Sequence, residues 1–139
     1  PCANEKDIIA FYSDENGSIN FNREYKHKSK KDIINTCAHE VEHAWQWYLH
    51  AIQTGGETAY THRIYLKNDY LKDGEMILEA SRYTDAIDKY VTCMENVEEY
   101  RKSLLEVKAR HKGKLEEENY KRQGHYLRSA FRHIPQEFL

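Results

Sequence analysis

The residues best suited to chemistry lie in one run, CAHEVEHAWQWYLH, residues 37–50. His39, Glu40 and His43 spell H-E-x-x-H. Histidines four apart stand on one face of a helix, about 6 Å apart along its axis. Two imidazoles so placed can converge on a single tetrahedral zinc ion. Glu40, one residue after the first histidine, is angled toward the place where a water on that metal would sit. There a carboxylate can take the water's proton and pass it to a leaving amine. The alternative is a histidine pair in a core or surface helix that holds no metal.

His50 tests a narrower pattern. H-E-x-x-H-x-x-G-x-x-H needs a glycine three residues after the second histidine and a third histidine three later. Here those positions hold Gln46 and Leu49, and His50 comes one residue late. Without the glycine the helix runs on, so His50 lies two turns, about 10.5 Å, beyond His43. One zinc cannot reach both, and the metzincin pattern fails. A third ligand must come from elsewhere. The best placed is Glu79 in EMILEASRY, on the next helical segment, with Glu75 one turn earlier as the fallback. Glu57 and His62 are weaker candidates, because nothing in the irregular stretch around them fixes their direction.

The helix that must carry the motif has a legible start and stop. Ser29 followed by Asp32 resembles a capping box, and TGG at residues 54–56 ends the run. Between them Ile33, Cys37, Val41, Ala44, Tyr48 and Ile52 recur at intervals of three and four, predicting an amphipathic helix of roughly 20 residues. On this spacing Val41, Ala44 and Tyr48 form the packing side. Trp45 and Trp47 point to different faces, one to the core and one to a groove. Upstream, IIAFY (8–12) and SINFN (18–22) flank the turn residues SDENG, which predicts a hairpin. Downstream, residues 57–73 read as a loop with a short helix. Residues 75–108 read as one long helix or two end to end, with the three-and-four spacing lost only across Arg101. Gly113 is expected to close that unit, and residues 115–133 to form a last helix interrupted at Gly124 and stopped by Pro135. The expectation is a single domain over 1–139, α+β and mostly helical. A small N-terminal β-hairpin packs on the motif helix and on further long helices.

Bulk properties agree with a chain of that size folding around one core. A net charge of −2 gives no sign of a nucleic-acid partner. The lysines at 26, 28, 30 and 31 read as a solvated approach to a helix, and the charged runs around 95–102 and 112–122 as helix faces with i,i+4 pairs. No apolar run approaches 18 residues, so no membrane-spanning helix is expected. The chain shows no signal-peptide pattern and opens on Pro1, as expected of a processed product or a domain of a longer protein. Cytoplasmic and secreted settings both remain open. Cys2, Cys37 and Cys93 contain no C-x-x-C, which argues against a cysteine zinc site, and Cys37 reads as a small buried hydrophobe.

HEVEHAWQ together with EASRY resembles the gluzincin type of zinc metallopeptidase, in which a glutamate on the following helix completes the site. The match covers residues 38–46 and 79–83. It is similar to small bacterial metallopeptidase domains, including those at the toxic end of secreted effectors. The resemblance implies zinc (Zn2+) held by His39, His43 and Glu79, with Glu40 as general base and a peptide or protein as substrate. It further implies that the strand at 18–22 pairs with the substrate. In thermolysin-like relatives an aspartate four residues after the glutamate ligand supports a zinc histidine; here that position is Tyr83. Tyr83 either takes that supporting place or turns its hydroxyl to the substrate carbonyl, a role for which His62, Tyr60 and Arg82 compete. Gln46 and Asp85 are further candidates to support a ligand. The competing expectations are a zinc-stabilised module that binds a partner without cleaving it, with His62 as a fourth ligand, and a metal-free helical interaction module.

Overall fold

In a computed structural model, the protein is described over residues 9–23, 28–55, 57–58, 63–64, 73–92 and 95–131, by backbone alone for 57–58, 63–64 and 125–131. Strands β1 (Ala10–Ser13) and β2 (Ser18–Phe21) pair antiparallel, Ala10 opposite Phe21 and Ser13 opposite Ser18. Their turn ends on Gly17 at φ 60°, the left-handed region where glycine carries no Cβ penalty. Helix α1 (Lys30–Thr54) follows. Its first turn is capped by Ser29, whose Oγ accepts from the Asp32 N–H at 3.3 Å and donates to the Asp32 carboxylate at 2.6 Å. Gly55 at φ 71° closes it, its N–H reaching the carbonyls of Ala51 and Ile52.

After α1 come two short paired strands, β3 (Glu57–Thr58) and β4 (Arg63–Ile64). The loop with a short helix expected over 57–73 lies otherwise outside the described residues. Helix α2 (Gly74–Asp88) starts on the Asp73 cap, α3 (Val97–Lys102) on Asn96, and α4 runs from Leu104 to Phe131. The expected long helix over 75–108 is therefore two helices and the start of a third. The seven-residue gap between the apolar positions Val97 and Leu104, centred on Arg101, marks the break at Ser103, which is extended (φ −58°, ψ 144°). Gly113 and Gly124, expected as a stop and an interruption, both lie inside α4.

Gly113 has a different reason to be glycine. A Cβ there would meet Asn35 Oδ1 at 2.6 Å and the Asn35 backbone carbonyl at 2.7 Å. Helices α1 and α4 therefore touch backbone to side chain at this level. Asn35 also donates to Glu117 at 2.9 Å, and Lys31 pairs with Glu117 at 3.6 Å. The contact runs antiparallel: residue 35 meets residues 113–117, and residue 46 meets residue 105.

The core gathers Leu49 and Ile52 of α1, Ala80 and Tyr83 of α2, and Leu105 of α4, with Trp45 and Tyr48 packed against it. Each large apolar side chain so buried contributes about 1.5–3 kcal/mol. The buried face of α1 follows the apolar spacing only in part: Ile52 is in the core and Tyr48 packs on it. Val41 and Ile33 are exposed, while Glu40 and Gln46 are buried beside Leu49 and Ile52. The helix turns its polar motif inward, because three other elements supply partners for it.

Candidate metal centre

His39 and His43 lie one turn apart on α1, and their Nε2 atoms are 3.1 Å from each other. The carboxylate that completes the group is Glu106, in the first turn of α4. Its Oε2 is 3.5 Å from His39 Nε2 and its Oε1 is 3.3 Å from His43 Nε2. Glu106 is only 2 % exposed. Ligands held 2.0–2.2 Å from one tetrahedral zinc stand about 3.3–3.6 Å from one another. One ligand atom from each of the three residues lies within 4.8 Å of the others, so the group is close to that size and could hold a zinc in His2Glu fashion with one position open.

The histidine tautomer follows from the neighbours. A backbone carbonyl can only accept, so the Gln46 nitrogen, 3.0 Å from the Leu105 carbonyl, is placed there as donor. Gln46 Oε1 then faces His43 Nδ1 at 2.9 Å and accepts its proton. His43 Nε2 is left as a lone pair aimed into the group. Gln46, 1 % exposed, thus ties the motif helix to the residue before Glu106 and orients one ligand. The supporting role expected of Gln46 falls on these contacts. Asp85, weighed for the same role, is exposed on α2.

Two ring nitrogens and a carboxylate this close need positive charge among them. Without a metal, protons fill that role. Burial pushes Glu106 up, but hydrogen bonds and charge from His39 and His43 outweigh it and hold the carboxyl at about 2. Burial pushes His43 down, and Glu106 more than reverses it, leaving the imidazole raised.

Glu40 is 6 % exposed, and its Oε2 accepts the backbone N–H of Tyr12 in β1 at 2.8 Å. In the antiparallel register Asn22 donates to the Ile9 carbonyl, so the Tyr12 N–H points away from β2, toward α1. That hydrogen bond leaves Oε1, 4.0 Å from His39 Nε2, on the side of the donor group. Burial raises the Glu40 pKa, opposed by His39, His43 and the Tyr12 N–H. A carboxylate shifted upward in this way is a stronger proton acceptor than a free one.

Glu79, expected as third ligand, is elsewhere. Its Oε1 accepts from the Tyr83 hydroxyl at 3.0 Å, and Glu42 Oε1 lies at the same distance from that hydroxyl. These three groups meet on the α2 side of α1, because Glu42 is about 100° around the helix from His43. Tyr83, expected at the substrate, is 1 % exposed in the core and cannot reach it. Burial and the carboxylates of Glu42 and Glu79 raise its pKa, so it stays a hydroxyl donor. Glu75 is an exposed residue of the first turn of α2, and Arg82 is exposed on the same helix. His62, Tyr60 and the side chain of Glu57 lie outside the described residues. His50 leaves the site as helix geometry requires, and its Nδ1 meets Thr84 Oγ1 at 3.2 Å.

The donor group opens on a cleft of about 680 Å³ whose near wall is β1 and whose far wall carries Tyr90, Thr92 and Tyr100. The strand beside the motif is therefore β1. No β2 residue is among the described lining residues, so the expectation placing residues 18–22 along the substrate shifts to residues 10–13. Tyr90 donates to Glu106 Oε1 at 3.4 Å and packs edge-on against Tyr100 at 6.1 Å. Burial, then the Glu106 charge, raises both phenols, which stay protonated. Trp47 lines the cleft, while Trp45 stacks on Tyr48 at the core.

Glu106 was hidden in a helix read for its leucines and valines. Its one signal is the spacing Glu106, Ala109, Gly113, a carboxylate on the same stripe as two small residues that permit close helix contact. Comparison of the chain with protein-family models, with curated proteins and with solved structures finds no match. Among the described residues no helix is long and apolar enough to cross a membrane.

Proposed function

We propose that the protein is a zinc-dependent peptidase whose metal is held by His39, His43 and Glu106. The observation that carries this reading is the group His39, His43 and Glu106, one ligand atom from each lying within 4.8 Å of the others, open to a cleft and flanked by the buried carboxylate of Glu40. A bound zinc would supply Lewis acidity toward a carbonyl oxygen and lower the pKa of a water toward neutrality. The chain's own groups do the rest. Glu40 Oε1 takes a proton from the attacking water and delivers it to the leaving nitrogen, while the Tyr12 N–H holds the other oxygen still. The Tyr90 and Tyr100 hydroxyls, protonated and hydrogen-bonded to Glu106, hold that ligand carboxylate in place. A peptide is favoured as substrate because β1 lines the cleft from Ala10 to Tyr12 beside the donor group, with the backbone of Ala10 turned away from β2, a wall that suits an extended chain.

Replacing Glu40 with Gln tests the reaction separately from the metal. The variant should bind zinc as tightly as the parent within a few-fold and lose at least 100-fold in kcat on peptides, in line with the 10²–10⁴-fold contribution of a positioned base. Undiminished hydrolysis by Glu40→Gln would remove Glu40 from the mechanism. Zinc binding with no hydrolysis in either protein would leave a metal-stabilised binding module.

A further inference from the structure

Among the described residues three carboxylates line the cleft, and the reaction uses only two. Glu106 faces the metal position and Glu40 is the base; Asp14, in the turn after β1, has no part in either. Among the described lining residues there is no lysine or arginine. Arg110, 3.9 Å from Glu106, donates to the Arg101 carbonyl and opens instead on a separate groove between α1 and α4. With a zinc on His39, His43 and Glu106, the carboxylates of Glu40 and Asp14 remain, and carboxylates with no basic side chain among them favour a cationic ligand.

Two elements place Asp14 relative to the reacting centre. It follows Tyr12 by two residues, so its Cα lies within about 7 Å of the residue whose N–H holds Glu40. Trp47 follows His43 by one turn on α1, about 6 Å along that axis, and it lines the same cleft as Asp14. Each wall therefore brings its side chain, a carboxylate on one and an indole on the other, within about two residues of extended peptide from the reacting centre. A carboxylate beside an indole is the pairing that holds a cationic side chain, by a charge-assisted hydrogen bond and by cation–π attraction. His50 meets the Trp47 ring edge-on at 5.6 Å and acts electrostatically on Asp14, so the indole and the carboxylate share a neighbour; the Tyr12 side chain also hydrogen-bonds Asp14.

Resting on the peptidase reading, we propose that Asp14 and Trp47 form a subsite for a lysine or arginine side chain, so that the substrates are peptides carrying a basic residue within two positions of the cleaved bond. Asp14 is then a specificity-determining residue. Its carboxylate, raised by burial, recovers charge stabilisation when a cation docks.

The test uses zinc-loaded protein at pH 8, where histidines are ordinarily neutral, and matched fluorogenic peptides. The members of the panel differ only in having Lys, norleucine or Glu at each position flanking the scissile bond. The wild type should cleave the best Lys peptide at least tenfold more efficiently, in kcat/KM, than its norleucine counterpart, and the Glu peptide least. Asp14→Asn should bring the Lys-to-norleucine ratio close to one, and Asp14→Lys should turn the order toward Glu. Cleavage without preference for Lys, or a preference that survives Asp14→Asn, overturns the subsite and leaves the peptidase reading standing. Cleavage of no peptide in the panel overturns both. The wild-type panel decides the question even if a variant fails to fold.

Discussion

Gln46 joins the metal centre to the helix pairing, and replacing it with Leu separates the two contributions. The substitution keeps the volume but deletes the acceptor for His43 Nδ1–H and the donor to the Leu105 carbonyl. Leaving the buried Nδ1–H without a partner costs about 1–3 kcal/mol, and losing the second bond to a carbonyl about 0.5–1.5 kcal/mol. The metal-free protein should lose about 2–3 kcal/mol, a fall in Tm of about 8–12 °C for a domain of this size. Zinc affinity should drop 10–100-fold, because nothing then fixes the imidazole's orientation or its tautomer. Gln46→Glu is the informative partner. It keeps an acceptor for Nδ1–H but sets an oxygen against the Leu105 carbonyl, so stability should fall while zinc affinity is kept. Competition titration against a chelating indicator and thermal unfolding of the metal-free proteins read the two effects separately. Wild-type zinc affinity in Gln46→Leu, or an equal loss in both variants, would refute the role assigned to the Gln46 oxygen.

Two further outcomes concern the frame around the site. Gly113→Ala gains about 1 kcal/mol of helix propensity but drives a Cβ to 2.7 Å from a backbone oxygen that cannot step aside. A net loss of about 1–2 kcal/mol is expected from overpacking, whereas Gly74→Ala, with nothing within 4 Å, should be neutral or slightly stabilising; chemical denaturation of both checks this. The pH dependence of the metal-free protein follows from the Glu106–His43 pair. The lowered pKa of Glu106 contributes stability above its unfolded value near 4.5, lost as pH falls toward 2. The raised pKa of His43 contributes below its unfolded value near 6.5, lost as pH climbs through the folded value. The melting temperature without metal should therefore peak between about pH 5 and 6.5. The increment from zinc should grow from pH 6 to 8, since the ligands bind deprotonated. A metal-free Tm that rises steadily from pH 6 to 8.5 contradicts the pairing.

Local chemistry made much of the fold readable. The Ser29 cap, the Gly55 stop and the hairpin around residues 14–17 each follow from side chains acting on their own backbone, and each stands where the sequence places it. His39, Glu40 and His43 share a helix face for the same local reason, and helix rise alone removes His50. The third donor is different. Glu106 comes 63 residues after His43, on a helix whose docking depends on Gly113 meeting Asn35, a long-range contact with no local signature. Glu79 sits in a helix that also packs on α1, but against the neighbouring face. A difference of about 100° around one helix, invisible to spacing, separates a ligand from a partner of Tyr83. Apolar periodicity placed Tyr48 and Ile52 at the core but misjudged Ile33 and Val41, because it counts carbon and the inward face there includes Glu40 and Gln46.

The most direct measurement is zinc affinity and stoichiometry in two isosteric variants, Glu106→Gln and Glu79→Gln, beside the parent. The parent should bind one zinc per chain. Glu106→Gln should lose more affinity than the 10–100-fold typical of a supporting hydrogen-bond partner, and Glu79→Gln should stay within about threefold of the parent. Tight one-to-one binding by Glu106→Gln, with the loss falling on Glu79→Gln instead, would contradict the metal centre described by His39, His43 and Glu106.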